Sequence, residues 1–354
     1  MKKIVYLILA VLVIIIAYFS WLELQTSIEE DKNGIDEKIA AGQAKDYYPF
    51  LEDTLFAYEG GGSEYDRQEF YWTFTEGDTG QLSISSSGTE VAQLIKHKND
   101  KVVRTYSQEE FYYMYKLDKD KKDREEIIIK EPLQVGNSWE VEAGERKITA
   151  VDKEVKVPSG EYKTLEVTTE YENSDGAKKV DYYAKNLGLI KTVYQGVDKN
   201  FRIETKLEEI NEDVAKDYNI RVFYPDFYRE KLVTYEYEID FTTDDKIKDI
   251  FMDKLRYPPE EELTRLISKN TTLNKLEFIE EGVIQIDFSQ ELVSEMQAGH
   301  FLESMIIQGI TNTFAEHYNT TQVYITLNGE SYQSGHIMLE EGEYFELDYD
   351  LLID

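Results

Sequence analysis

The first pattern along the chain is a run of apolar residues from Ile4 to Leu22, preceded by Lys2 and Lys3. At about 1.5 Å of rise per residue, a helix of this length nearly spans the ~30 Å hydrocarbon core of a bilayer. The two lysines favour a cytoplasmic N-terminus, which places the rest of the chain outside the membrane. A cleaved signal peptide is the alternative, but its apolar core is usually shorter and ends at a small-x-small motif, which does not occur here. The pattern predicts a transmembrane anchor over residues 1–25.

The chain then changes to a polar, acidic stretch, which predicts a juxtamembrane linker over residues 26–45. From residue 46 to 210, short segments alternate apolar with polar residues or are rich in β-branched and aromatic residues: QLSISSSG, KITAVDKEVKV, KTLEVTTEYE and KVDYYAK. No long helical pattern interrupts them. These residues therefore predict an antiparallel β-rich extracytoplasmic domain.

Several turn signals divide the predicted strands. Asp175-Gly176 tolerates the positive φ of a type I′ turn and predicts a hairpin. The glycines at 60–62 and the SSSG stretch at 85–88 predict further loops. The charged stretch Lys116–Glu126 predicts a surface loop or the tip of a ribbon.

The polar stretch Leu207–Asn219 marks the predicted domain boundary, and strand and helix patterns are mixed after it. IRVFYP and YEYEIDF read as strands, TTDDKIKDIFMDKL as a helix that ends at a Pro-Pro pair, and EEELTRLIS as a short second helix. A strand pair around Glu281-Gly282, a long helix and a hairpin across Asn328-Gly329 follow. This order predicts an α+β domain over residues 218–354, with helices covering one face of a small sheet.

The long helix, GHFLESMIIQGITNTFAEH, carries the most suggestive polar residues. At 100° per residue, its apolar residues share one broad face, and the opposite side carries His300, Ser304, Gln308 and Thr311. Glu303 falls inside the apolar arc, but in the first turn a carboxylate can reach free backbone N–H groups and faces the positive end of the helix dipole. His317 lies in the last turn, where a cation is favoured. Glu303 is therefore a structural candidate.

Spacing along this helix argues against catalysis by the same residues. Glu303 and His317 are about 21 Å apart along the axis, and His300 and His317 about 25 Å. His300 and Glu303 could share an ion, but zinc needs three or four ligands and no HExxH pattern occurs. There is also no G-x-S-x-G elbow, no Walker lysine and no cysteine. No catalytic, cofactor-binding or metal-binding residue is predicted, and we expect the protein not to be an enzyme.

Aromatic strands leave one binding function open. Tyr71 and Trp72 in YWTF, and Tyr112 and Tyr113 in FYYMY, could stack on the sugar rings of a cell-wall glycan. Cross-strand packing is the commoner role of such residues. A peptidoglycan-binding protein or a peptidoglycan hydrolase is therefore the alternative function.

Charge narrows the choice of partners. The formal net charge is −32, from 71 Asp and Glu against 39 Lys and Arg. Nucleic acids and anionic lipid surfaces attract basic patches, so both are poor partners for this chain. With so many acids, carboxylate pairs arise by chance and do not by themselves argue for glycosidase action.

Residues 218–348 resemble the GerMN domain of sporulation and spore-germination proteins. The matching pieces occur in order: IRVFYPD, LVTYEYEI, IKDIFMDKLRYPPEEELTRLISKNTTLNKLEF, VIQIDFSQELV, GHFLESMIIQGITNTFAE, QVYITLNGE and SGHIML. The resemblance implies an α+β module similar to the ring-building motifs of secretion machines, associated with envelope assembly and defined by no catalytic residues.

The middle of the chain is similar, more loosely, to β-rich modules of Gram-positive exported proteins, through LQVGNSW, VKVPSGEYKTLEV and YYAKNLGLIKTVY. The sequence thus predicts a single-pass protein of the plasma membrane whose C-terminal domains are extracytoplasmic. Its expected function is protein–protein assembly with other envelope proteins or with itself, in sporulation or germination, without a cofactor.

Overall fold

The computed structural model describes most of the chain beyond the predicted anchor: residues 40–62, 66–172, 176–280, 282–340 and 342–352. The predicted anchor over residues 1–25 and most of the linker lie outside the described residues. Within the described ranges, no helix is long and apolar enough to cross a membrane.

The first half of the described chain forms an antiparallel sheet that follows a short 3-10 helix, Ala44–Tyr47. Its strands are β1 (Leu55–Gly62), β2 (Gln68–Glu76), β3 (Thr79–Ser86), β4 (Glu90–Lys98), β5 (Lys101–Gln108), β6 (Glu126–Lys130), β7 (Ser138–Val141), β8 (Gly144–Val157), β9 (Gly160–Tyr171), β10 (Lys178–Ala184), β11 (Gly188–Gln195) and β12 (Arg202–Asn211). Strands that are adjacent in sequence pair with each other, except that β6 does not pair with β7. Strand β1 pairs with β12 and so joins the two halves of the sheet.

The sheet curls until its edge strands β6 and β7 approach each other. Trp139 on β7 donates its indole N–H to the Ile127 carbonyl on β6 at 3.1 Å. Arg146 on β8 is buried, donates to the same carbonyl at 2.6 Å and pairs with Glu126. Inward residues of both halves form one apolar interior, because alternate residues of each strand point to the same face: Trp72, Leu82, Ile95, Val102, Ile129, Trp139, Ile148, Leu165, Val167 and Tyr183.

The second half is a smaller α+β region. Its elements are the hairpin of β13 (Lys216–Asp226) and β14 (Lys231–Phe241), then α1 (Ile247–Arg256), β15 (Leu273–Glu280), β16 (Val283–Phe288), α2 (Glu291–Ser294), α3 (His300–His317), β17 (Gln322–Leu327), β18 (Glu330–Ser331) and β19 (Phe345–Glu346). The second sheet runs β15-β16-β17-β18, with β19 also on β17. Strands β16 and β17 are parallel, and α2 and α3 connect them.

A glycine sets the distance between α3 and the β13–β14 hairpin. A Cβ atom on Gly309 would lie 2.3 Å from the Phe223 carbonyl oxygen and 2.8 Å from Leu266. Only a residue without a Cβ lets the helix approach the strand this closely.

Local turn chemistry is confirmed at one hairpin, and strand pairing alone at a second. Asn328 and Gly329 both have positive φ, 51° and 89°, between β17 and β18. Strands β9 and β10 pair as the predicted hairpin, although Asp175 itself lies outside the described residues.

Two local predictions are wrong. EEELTRLIS is not helical, because its backbone groups bond outside the segment: Thr264 N–H donates to the Pro225 carbonyl and Leu266 N–H to the Leu255 carbonyl. The glycines at 60–62 continue β1 and pair with β12 instead of forming a loop. The predicted boundary stretch contains the end of β12 at Asn211 and the start of β13 at Lys216, and the chain passes from the large sheet to the β13–β14 hairpin between them.

The fold is thus a large antiparallel sheet followed by a smaller α+β region, as predicted. The structure adds that the two regions share one apolar core. Phe74 and Leu94 of the sheet belong to the same buried cluster as Phe251, Ile310 and Phe314 of the α+β region.

Candidate functional site

The connection between β5 and β6 joins the two regions. Within this loop, residues 109–125, the side chains of Phe111, Tyr113, Met114 and Leu117 are buried. They pack against the end of α3 and against β15, where Tyr113 and Tyr115 contact Phe278 and Tyr318 at ring-centroid distances of 5.1–6.1 Å. We call this contact the seam.

Two consecutive residues at the end of α3 hold the backbone of Met114. The Met114 N–H donates to His317 Nε2 at 3.2 Å, and the Tyr318 hydroxyl donates to the Met114 carbonyl at 3.0 Å. Met114 is only 1% exposed, so neither backbone group could turn to water instead. The seam is therefore fixed by hydrogen bonds as well as by aromatic packing.

The surroundings of His317 keep its ring neutral. Burial lowers its pKa to about 3, and a hydrogen bond to the backbone of Asn219 opposes this only in part. The prediction that His317 is a cation at the helix C-terminus is therefore wrong. The ring accepts the Met114 N–H and packs against Phe251, and its burial there outweighs the attraction of the helix dipole for a positive charge.

The seam should therefore weaken in acid. The unfolded chain takes up a proton at His317 near pH 6.5, whereas the folded chain does so only near pH 3, so stability falls as the pH drops below about 6.5. Because His317 as a residue is half-buried, we expect the wild-type protein to lose about 1–2 kcal/mol more stability than His317→Gln between pH 7 and pH 5. Urea denaturation of both proteins at each pH measures it. Parallel pH profiles would contradict a neutral, seam-bound His317.

A second polar contact joins the regions at the base of the β13–β14 hairpin. The Tyr71 hydroxyl lies 3.0 Å from the Val214 carbonyl and 3.3 Å from Asp53 Oδ1. Asp53 in turn accepts the N–H of Thr243, whose hydroxyl donates to the Trp72 carbonyl at 2.7 Å. Polar contacts therefore join the sheet and the α+β region at the base of the hairpin as well as at the seam.

The aromatic candidates for sugar stacking occupy different environments. Tyr71, Trp72 and Tyr113 are buried, so they present no ring face to a ligand in this structure. Tyr112 is 50% exposed, and its hydroxyl donates to Glu110 at 2.6 Å. Only Tyr112 remains available for the predicted stacking.

A groove of about 770 Å³ runs along the solvent side of the seam. Aromatic and acidic side chains line much of it: Tyr106, Tyr113, Tyr115, Phe278, Tyr318, Glu109, Glu110, Asp118, Asp120 and Glu280. Burial raises the pKa of Tyr113 and Tyr115, so their hydroxyls stay protonated at neutral pH. The half-buried side chains of Tyr106, Tyr115 and Phe278, which were not among the predicted stacking residues, can contact a ligand in the groove. Its lining residues bring together no nucleophile and base of the kinds described for acyl transfer.

Glu303 is buried and bonded to a tyrosine rather than to the helix backbone. Its carboxylate accepts the Tyr332 hydroxyl at 2.8 Å, with both side chains almost fully buried. Burial and this hydrogen bond raise the pKa of Tyr332 well above its usual value. Glu303 therefore bonds to Tyr332 and not, as the end-cap prediction required, to the backbone N–H groups of the first helical turn. Its role is still structural.

We expect Glu303→Ala to destabilise the protein by about 2 kcal/mol, because the Tyr332 hydroxyl would remain buried without an acceptor. Glu303→Gln keeps an acceptor oxygen and should cost less than half as much. Chemical denaturation measures both. Equal losses for the two variants would show that the hydrogen bond is not what Glu303 contributes.

The C-terminal half of the polar side of α3 packs against protein, whereas His300 at its start is exposed. Gln308 donates to the Glu346 carbonyl at 2.9 Å, and Asn312 donates to the Asp348 carbonyl at 2.6 Å. Thr311 is fully buried. Gln308 and Asn312 are thus held by the C-terminal segment, residues 345–352.

Within the described ranges, no group of three or more His, Asp or Glu side chains is placed to hold a metal ion. His300 and His336 come within 6.0 Å, centroid to centroid, but no third ligand joins them there.

Sequence reasoning missed the roles of Met114, His317 and Tyr318 in the seam. One signal was present, since FYYMY places five apolar or aromatic residues just before the charged stretch Lys116–Glu126. An apolar segment in a long, otherwise charged loop indicates that the loop packs against something.

Comparison with known families gives a match in the α+β region. Residues 221–333 match the family model described as Germane, sporulation and spore germination. The resemblance to the GerMN domain drawn from residues 218–348 is thereby confirmed. A comparison with curated proteins gives no match.

Solved structures give distant similarities. The tandem GerMN domains of the sporulation protein GerM from Bacillus subtilis are 19% identical, with a TM-score of 0.30 over 42% of this chain and 50% of that one. This chain thus spans about half the length of that structure. A protein designated a lipoprotein from Clostridium perfringens is 16% identical, with a TM-score of 0.25 over 37% of this chain and 87% of the other.

Proposed function

We propose that this protein is a non-enzymatic, membrane-anchored component of the cell envelope that mediates protein–protein assembly during sporulation or spore germination. The match of residues 221–333 to the Germane family is the observation that carries the proposal. The predicted N-terminal anchor supplies the membrane attachment, and the described residues face the outside of the cell.

The surface of the α+β region supports an assembly role. Most of the exposed large apolar side chains among the described residues lie there: Phe227, Tyr228, Tyr257, Ile279, Phe301, Met338 and Tyr349. Side chains of this kind are enriched at protein interfaces. The seam holds this surface in a fixed position relative to the sheet, which suits a protein that presents one face to a partner.

Crosslinking of the full-length protein in its native membrane tests the assembly role. We expect a discrete complex with another envelope protein or with a second copy, identified by mass spectrometry of the crosslinked peptides, with the peptides in the α+β region. A protein that stays monomeric and forms no specific crosslink would contradict the assembly role. Protease added to intact protoplasts tests the topology, and resistance of the sheet and α+β region would contradict an extracytoplasmic location.

A second candidate is cell-wall glycan binding or hydrolysis at the seam groove, which the aromatic and acidic lining favours. Sedimentation with purified peptidoglycan tests binding, and a turbidity assay tests lysis. Absence of both would remove this candidate.

A further inference from the structure

In the part of the chain that the structure describes, strand β14 pairs with β13 along one edge, and no strand pairs with the other edge over most of its length. It pairs with β13 without a bulge over its whole length, from Phe241↔Lys216 to Lys231↔Asp226. The far side of β13 is covered, because the Phe223 N–H donates to Thr313 of α3 at 3.2 Å. Among the described residues, the far side of β14 meets protein backbone only at its start.

That contact is itself a strand pairing. Leu232 N–H donates to the Leu351 carbonyl at 2.7 Å, and Leu232 forms a parallel bridge with Leu352. An extended segment therefore already lies along the first part of this edge, with backbone geometry that suits a further strand.

The register identifies the free groups beyond it. Alternate residues of an antiparallel strand turn their backbone groups away from the partner. Leu232 points outward, so Thr234, Glu236, Glu238 and Asp240 do as well. Among the described residues, no backbone or side-chain group bonds to the N–H or C=O of these four. The edge thus offers a ladder of donors and acceptors about 20 Å long.

An acidic groove of about 670 Å³ accompanies this edge, with α1 as its other wall. Its charged lining is six acids against two lysines: Glu238, Asp240, Asp244, Asp245, Asp249, Asp253, Lys246 and Lys254. Lys254 is already engaged, since it lies 3.2 Å from Asp253 and over the Tyr237 ring. Glu238, Asp240 and Asp249 are exposed, and the groove is left strongly negative.

We propose that the open edge of β14 binds an extended, lysine- and arginine-rich segment of a partner protein as an added strand. The inference rests on the proposed assembly function and specifies the chemistry of the partner. Backbone pairing supplies the affinity of such an added strand, and the acidic groove selects basic side chains.

Charge argues against a second copy of this chain as the added strand. A second copy of this chain carries the same net charge of −32 and the same acidic edge, so pairing two β14 edges would oppose Glu236, Glu238 and Asp240 with like charges. Charged residues on an edge strand commonly prevent self-pairing. Here the acidic residues of β14 also complement the charge of a basic strand. Prevention of self-pairing and binding of a basic strand can be measured separately.

The test uses the full-length protein in detergent micelles and a synthetic peptide of alternating lysine and valine, about eight residues or roughly 26 Å long when extended. Isothermal titration calorimetry should show saturable binding that weakens as salt is added. The same peptide with alternate backbone nitrogens methylated keeps its charge but loses donors on one edge, and it should bind at least about tenfold more weakly. A glutamate-for-lysine peptide should not bind.

Protein variants locate the site. Glu238→Gln combined with Asp249→Asn should weaken binding of the basic peptide about three- to tenfold, because two screened ion pairs are lost. Glu154→Gln combined with Glu161→Gln changes the net charge equally at exposed positions of β8 and β9, and it should leave binding unchanged. Glu236→Pro removes one outward N–H from the edge and should weaken binding while the circular dichroism spectrum is retained.

Several results would overturn the inference: no binding, equal binding of the methylated peptide, equal effects of the two double variants, or dimerisation through β14. The methylated peptide decides the question even if Glu236→Pro fails to fold. If the peptide does not bind but crosslinks to an envelope partner persist, only this inference fails. If the peptide binds and no partner is found in the membrane, the assembly function fails instead.

Discussion

Gly309→Ala is expected to lower the free energy of unfolding by about 2 kcal/mol, even though alanine favours a helix by about 1 kcal/mol over glycine. The added Cβ would lie 2.3 Å from the Phe223 carbonyl oxygen, which is backbone and cannot rotate away. Either α3 or β13 must move, and the hydrogen bond from the Phe223 N–H to Thr313 lies at the same contact.

Gly335→Ala is the matched control for this variant, because a Cβ there meets nothing within 4 Å and the residue has no positive φ. Thermal and urea denaturation of both variants measure the difference. A neutral or stabilising Gly309→Ala would contradict the close approach of α3 to the hairpin.

Tyr318→Ala should have the largest effect of any single seam substitution, a loss of about 4 kcal/mol. The ring is 2% exposed and contacts Tyr113, Tyr115 and Phe278 across the seam. Tyr318→Phe keeps the ring but leaves the Met114 carbonyl without its donor, and should cost about 1–2 kcal/mol. Urea denaturation of the two variants separates packing from hydrogen bonding. Equal losses would mean that the aromatic contacts contribute little.

Sequence periodicity was sufficient to predict those elements whose local pattern of apolar residues matches the way they pack in the fold. The alternation in YEYEIDF gave β14, and the Asn328-Gly329 pair gave the turn between β17 and β18 with the positive φ values that it requires. It failed where distant residues decide the local structure. EEELTRLIS has helix-forming residues, but its backbone bonds to Pro225 and Leu255 replace helical ones.

The candidate site shows the same limit more strongly. Helix position alone gave Glu303 and His317 end-cap roles, because their partners Tyr332 and Met114 come from distant parts of the chain. Burial of Tyr71 and Trp72 likewise depends on how the sheet curls, which no single strand pattern specifies. The open edge of β14 could not be predicted either, since it depends on which strands remain unpaired after folding.

The most direct measurement is hydrogen exchange across the urea transition, followed separately in the sheet and in the α+β region. Two regions joined through a shared core and the seam should lose protection with one common midpoint, and Tyr318→Ala should lower the midpoint of both. Loss of protection in the α+β region at a lower urea concentration, with the sheet still intact and unaffected by Tyr318→Ala, would contradict a single unit that presents the β14 edge from a fixed platform.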